Sequence, residues 1–214
     1  MTYKLYWSSL TAGFVVQVAL TEAGADHELV EVDLDNAEHR GAAYRSMNPV
    51  GQIPTMVLAD GTVLTESVAM VLHLADTFPE AELLPAPGSV ERALAYRWLL
   101  FMATSIYPGC QRYYYHERFT TQRDAAEGIR ASAMAHINAG FDLLDSVLEK
   151  QSYLGDSIPS IVDTYLTMMA AWYPRSGEVL RGRGNLARVV REVCARPAVR
   201  GIWDQYYPDG PHFH

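Results

Sequence analysis

The sequence predicts an α/β domain of the thioredoxin-like type followed by an all-α domain, and three observations support this. Strand and helix patterns alternate from the start to about residue 76. Residues 79–88 contain three prolines and a glycine, which is typical of a linker. Beyond them the pattern is helical nearly to the end. We therefore predict a first domain at 1–78, a linker at 79–88 and a helical C-terminal domain at 89–214.

The first domain follows the order strand, helix, strand, helix, strand, strand, helix. Lys4–Trp7 is the first predicted strand, and the helix after it begins near Gly13 and ends at Gly24. Asp60-Gly61 is a hairpin signal between two short strands. One parallel crossover followed by an antiparallel hairpin gives the thioredoxin-like outline. The other elements are strands at 28–32, 55–58 and 62–64, a short helix near 42–47 and a helix over 67–76.

The second domain carries helical patterns throughout. Ser160–Asp163 is an N-capping signal that opens its third helix. The predicted helices span 89–117, 124–150, 161–173, 186–195 and 198–206.

The charge balance disfavours a nucleic-acid-binding protein. The chain has 17 basic and 25 acidic residues, a formal net charge of -8, and its basic residues are spread out. Phosphate binding needs a clustered basic face. The 49% hydrophobic and 20% charged composition is that of an ordinary globular protein.

Membrane and secretion signals are also not expected. No segment approaches the roughly 20 apolar residues that cross a bilayer, and the start enters a strand pattern directly. Cys110 and Cys194 match neither a CxxC motif nor a zinc-ligand spacing. We therefore expect a cytoplasmic protein with no metal site.

Two blocks of sequence carry a family resemblance: NPVGQIPT at 48–55 and DGTVLTES at 60–67. Together they resemble the glutathione transferase family, most closely its bacterial beta-class pattern. The resemblance continues to Asp76 and returns at Arg196–Val199, so it covers most of the chain. It implies glutathione as co-substrate, a small electrophilic second substrate and a homodimer.

The resemblance assigns the cysteinyl part of glutathione to Gln52, Ile53 and Pro54. An Ile-Pro step can hold a cis bond, and in the family the residue at Ile53 pairs with the cysteinyl backbone like an added strand. The alternative is a proline that merely begins an edge strand.

The two ends of glutathione are assigned in the same way. Glu66 and Ser67, at a predicted helix start, match the positions that hold the γ-glutamyl group, and a helix N-terminus suits a carboxylate. The alternative is that Ser67 serves as an N-cap. Ala37 stands where beta-class relatives often have a lysine for the glycyl carboxylate. His39 could replace that lysine, or be an ordinary solvated loop residue.

The catalytic position departs from the family pattern. Ala12 stands where the beta-class cysteine belongs, and Leu10 stands near the serine position of other classes. A thiol has a pKa of about 8.5, and lowering it by about two units takes about 2.7 kcal/mol. A hydroxyl that donates to the sulfur supplies about 1.5–3 kcal/mol. Ser9 and Thr11 are the candidate donors and Ser8 a weaker third, unless these are loop hydroxyls that satisfy backbone groups.

A second-substrate pocket is expected next to this loop. Leu10, Tyr107 and Tyr114 are its candidate residues, because aromatic and polar-tipped side chains suit an electrophile with an apolar body. The alternative is that the tyrosines are core or dimer-interface residues.

Two functions remain open from sequence. The first is an enzyme that activates glutathione for conjugation, dehalogenation, peroxide reduction or isomerisation. The second is a glutathione-binding protein with weak or no catalysis that acts in ligand carriage or protein interaction.

Overall fold

The computed structural model describes residues 2–155, 157–175, 178–208, 211 and 213. Strand β1 (Tyr3–Trp7) lies inside a four-stranded sheet. The order is β2-β1-β3-β4, with β2 at His27–Glu31, β3 at Thr55–Val57 and β4 at Val63–Leu64. β1 pairs in parallel with β2 and antiparallel with β3, and β3 pairs antiparallel with β4. The predicted thioredoxin-like domain is confirmed.

Helix α1 (Gly13–Glu22) is the parallel crossover. Its residues 13–20 are all buried, because β1, α3 (Ser67–Thr77) and a helix from the far end of the chain all pack against it. A helix that is apolar on every side has to be enclosed in this way. The short helix α2 (Ala42–Met47) precedes the loop to β3.

The chain divides into two compact units. The first comprises Met1–Leu83 with Arg196–Asp209, and the second comprises Leu84–Ala195 with Gly210–His214. The first unit therefore includes α9 (Pro197–Tyr206), which the sequence division placed in the helical domain. The reason is aromatic packing: the ring of Phe14 lies 5.3–5.7 Å from three rings at the end of the chain, those of Trp203, Tyr206 and Tyr207.

The second unit is helical, as predicted. Its helices are α4 (Val90–Phe101), α5 (Tyr107–Tyr114), α6 (Ala126–Leu148), α7 (Ile161–Ala171) and α8 (Gly184–Ala195). Sequence predicted one helix over 89–117. A π-helical turn at Met102–Ile106 divides it instead, because Pro108 lacks the N–H that would continue the ladder.

Helix α7 forms the centre of this unit, since its residues 161–170 are all buried. The predicted cap is confirmed: the Ser160 hydroxyl accepts from the N–H of Val162, and Asp163 accepts from the N–H of Ser160. No helix among the described residues is long and apolar enough to cross a membrane.

Candidate glutathione site

The sheet register brings three of the predicted site segments to one end of the sheet. Tyr6 pairs with Thr55 and Met56 pairs with Leu64. Because both pairings are antiparallel, the residues after β1, before β3 and after β4 emerge at the same end of the sheet. The loop at 8–12, the Ile53-Pro54 step and Glu66-Ser67 are therefore neighbours, although they are far apart in sequence.

Side chains from α2 and its loop hold the Ile53-Pro54 step. The predicted cis bond between Ile53 and Pro54 is confirmed. The Gln52 carbonyl accepts from the Tyr44 hydroxyl and from the Asn48 amide, both at 2.8 Å. Since the single proton of Tyr44 goes to Gln52, the Thr55 hydroxyl donates to Tyr44 at 2.8 Å. Burial raises the pKa of Tyr44, so this phenol stays a donor.

These contacts leave the next peptide group open. Ile53 is half-buried, and no described residue makes a backbone hydrogen bond to it outside the strands. Its N–H and C=O can therefore pair with an extended peptide, as an added strand would.

Glu66 and Ser67 form the start of α3. Glu66 has φ 67 and ψ 110, and its own carbonyl accepts from Met70, so the turn into the helix is sharp. A residue other than glycine held at such a φ costs about 1–3 kcal/mol, and such residues cluster at ligand sites. Ser67 occupies the first helical position rather than the N-cap, and no side-chain bond caps the helix. Its hydroxyl and the first N–H groups of α3 are available to an anion.

His39 lies beside the same loop. Gly51 has φ +66, and a Cβ there would come within 2.9 Å of the His39 carbonyl. This close approach brings the 3-10 turn Glu38–Arg40 against residues 48–55. The Nε of Arg40 donates to Nε2 of His39 at 3.3 Å, so this nitrogen of His39 is an acceptor within the turn.

The hydroxyl groups of the loop at 8–12 differ in their hydrogen bonds and in their exposure. Thr11 donates to the Ser8 carbonyl at 2.7 Å and accepts from the N–H of Gly13 at 3.3 Å, so its proton is already used. The Ser9 hydroxyl is half-exposed and makes no hydrogen bond to any described residue, whereas Ser8 is 7% exposed. Ala12, at the N-cap of α1, offers no polar side chain.

Comparisons with known proteins give the family of the chain. The family model for the glutathione S-transferase N-terminal domain matches residues 14–77. Glutathione S-transferase GstA of Escherichia coli O157:H7 is 28% identical over 200 residues, which cover 92% of this chain and 95% of that protein. Glutathione S-transferase Z1 of Arabidopsis thaliana is 31% identical over 220 residues, covering 96% and 92%. The chain belongs to the glutathione S-transferase family.

A solved structure extends the likeness. A sphingomonad glutathione S-transferase complexed with glutathione has a TM-score of 0.80 at 27% identity, with 92% of this chain and 96% of that chain covered. The thioredoxin-like outline of this family member is thus supported by both sequence and structure.

In the helical unit of this transferase, both candidate tyrosines contact Trp172. The Tyr107 ring meets the Trp172 ring edge-on at 5.1 Å, and the Tyr114 hydroxyl donates to the Trp172 carbonyl at 3.0 Å. Burial raises the pKa of Tyr114 to about 12, so it stays protonated near neutral pH. The third candidate, Leu10, belongs to the first unit, where its side chain is 62% exposed.

Neither cysteine is suited to replace the missing catalytic cysteine. Burial raises the pKa of both Cys110 and Cys194 to about 12, so almost no thiolate forms at neutral pH. Among the described residues no group of three or more histidine, cysteine or acidic side chains could hold a metal ion.

Sequence reasoning missed several residues that shape these sites. Asn48 lies inside the quoted motif, so its position was a usable signal. No local sequence pattern marked Tyr44, Trp172 or Tyr206, because each of them contacts residues distant in sequence or main-chain atoms.

Proposed function

We propose that this glutathione S-transferase binds glutathione on its first unit and activates the thiol with the Ser9 hydroxyl. The observation that carries the proposal is the meeting, at one end of the sheet, of an open Ile53 peptide, the start of α3 and a loop in which the half-buried Ser9 makes no side-chain hydrogen bond to any described residue. A co-substrate with a peptide centre and two anionic ends fits that combination.

The chemistry of each part follows from its groups. The Ile53 N–H and C=O pair with the cysteinyl backbone, and the Ser67 hydroxyl with the N-terminus of α3 holds the γ-glutamyl carboxylate. His39 is the proposed contact for the glycyl carboxylate. Ser9 donates to the sulfur, which stabilises the thiolate by about 1.5–3 kcal/mol. The thiolate then attacks a small electrophile, and Leu10 is proposed to contact its apolar body.

A second candidate function is glutathione binding with little or no catalysis. Ala12 at the cysteine position and Leu10 near the serine position favour it. A steady-state assay over a panel of chloroaromatic, epoxide, peroxide and unsaturated-acid substrates, run beside calorimetry with glutathione, separates the two. Turnover of any substrate supports the enzyme, whereas tight binding with no turnover on the whole panel supports the binding protein.

Replacing Ser67 by alanine is expected to weaken glutathione binding by about 1–2 kcal/mol, because a hydrogen bond to a charged group is lost. That is roughly a five- to thirtyfold increase in Kd. Calorimetry measures it, and Ser46→Ala is a matched control, since the Ser46 hydroxyl donates only to the Ala43 carbonyl on the exposed side of α2. Unchanged affinity in a folded Ser67→Ala variant would remove Ser67 from the site.

We also propose a homodimer in the cytoplasm, where the glutathione pool is kept reduced. Leu94 and Leu100 of α4 are exposed apolar residues of the second unit, which is consistent with an apolar two-fold interface. Light scattering at micromolar concentration is expected to give twice the chain mass of 23.8 kDa. A mass of one chain would exclude the dimer.

A further inference from the structure

Tyr206, the last residue of α9, contacts the candidate catalytic loop at three places. Its carbonyl accepts from the N–H of Leu10 at 3.0 Å. Its ring lies 4.9 Å from that of Trp7, and its hydroxyl would be 3.0 Å from a Cβ added at Gly13. One fully buried residue from the far end of the chain thus contacts residues before, within and after the loop at 8–12.

The loop needs such a support. Leu10 has φ 55, a left-handed conformation that is unfavourable for any residue with a Cβ. Its side chain is largely exposed, so side-chain packing does not hold it there. The two hydrogen bonds of Thr11 are local to the loop. Among the described residues, the bond from Leu10 to Tyr206 is the one that ties residues 8–12 to a distant part of the chain.

Helix α9 is itself anchored along α1. The Gln17 amide donates to the Gln205 side chain at 3.1 Å, and Arg196 pairs with Glu22. These contacts lie near the two ends of α9, so its position relative to the start of α1 is well determined.

We propose that Tyr206 is a positioning residue for Ser9: its ring and carbonyl set the direction in which Ser9 presents its hydroxyl to the glutathione sulfur. This inference rests on the function proposed above. The Tyr206 hydroxyl has no part in it, because that group makes no hydrogen bond to any described residue and burial raises its pKa. The proposed positioning of Ser9 depends on the packing of the Tyr206 ring and on the main chain that this ring anchors.

The test measures the thiol pKa of bound glutathione by thiolate absorbance, together with kcat and glutathione affinity. Tyr206→Leu is expected to raise the thiol pKa by about one unit and to lower kcat about tenfold at a pH below the parent's thiol pKa. At that pH its glutathione Kd should stay within about twofold, because Ile53 and Ser67 are not touched. Tyr206→Phe should match the parent. An unshifted thiol pKa in Tyr206→Leu would overturn the proposal.

Tyr207→Leu is the matched control. Tyr207 is equally buried, and its ring packs against those of Phe14 and Trp203. It should lower stability without moving the thiol pKa. A shift equal to that of Tyr206→Leu would show a general packing effect and would contradict a specific role.

Two further variants keep the proposal testable if Tyr206→Leu does not fold. Gly13→Ala places a methyl group against the Tyr206 hydroxyl and should raise the thiol pKa. Adding Tyr206→Phe, which removes that hydroxyl, should reverse part of the shift. No reversal would contradict the proposed contact.

Ser9→Ala separates failure of this inference from failure of the proposed function. If Ser9→Ala leaves the thiol pKa unchanged, the hydroxyl assignment itself is wrong. If Ser9→Ala raises the pKa, then adding Tyr206→Leu should raise it no further, because both changes remove the same interaction. Additive shifts would overturn the positioning role alone.

Discussion

Replacing Ser9 by alanine is expected to lower the glutathione-dependent rate below the parent's thiol pKa by roughly ten- to a hundredfold, with much of the loss recovered at higher pH. The hydroxyl stabilises the thiolate, so its removal raises the thiol pKa by about one to two units. Below the parent's thiol pKa the thiolate fraction falls by the same factor, and between the two pKa values it falls by less. Above the new pKa, both proteins carry a fully ionised thiol and their rates converge. The measurement is a pH–rate profile of kcat/KM for the second substrate at saturating glutathione, which reports the thiol pKa of the bound co-substrate.

Thr11→Val is the control for Ser9→Ala. It removes a hydroxyl of the same loop whose proton goes to the Ser8 carbonyl rather than toward a ligand. We expect a modest loss of stability and a pH–rate profile that overlays the parent. If Thr11→Val shifts the profile and Ser9→Ala does not, the assignment is reversed. If neither shifts it, backbone groups or a residue such as Tyr107 stabilise the thiolate.

Replacing Asp163 by alanine is expected to destabilise the protein by about 3–5 kcal/mol. The carboxylate is fully buried, and it accepts from the N–H groups of Leu154 and Ser160, each at 2.9 Å. Each buried N–H left without a partner costs about 1–3 kcal/mol, and loss of the helix cap adds about 1 kcal/mol. Urea denaturation followed by far-ultraviolet circular dichroism measures the change.

Asp142→Ala is the matched control for that loss. Asp142 is mostly exposed and accepts from the Nε of Arg183 at 2.7 Å. Arg183 is largely buried but keeps its bonds to the Val179 carbonyl and the Asn138 side chain, so we expect a loss of about 1 kcal/mol. An Asp163→Ala variant no less stable than Asp142→Ala would mean that water replaces the carboxylate at the start of α7.

Much of the fold could be predicted from the sequence, because the signals that indicate its elements are local. The Asp60-Gly61 turn, the glycine after α1 and the Ser160–Asp163 cap each depend on residues a few positions apart, and each appears where it was expected. The division of the long helix at 89–117 was missed. Pro108 was a visible signal for that break, but a proline near a helix start is also tolerated, so the pattern alone did not decide.

The sequence by itself determined the family and the two-part architecture and predicted the segments proposed to bind glutathione, since these depend on short motifs and local periodicity. The proposed preference for Ser9 over Thr11 came only from the tertiary structure, because it depends on where a single proton goes. The placement of α9 in the first unit was likewise a matter of packing on Phe14. A hydroxyl direction and an aromatic contact arise between residues that are remote in sequence or rotate freely until the chain has folded around them.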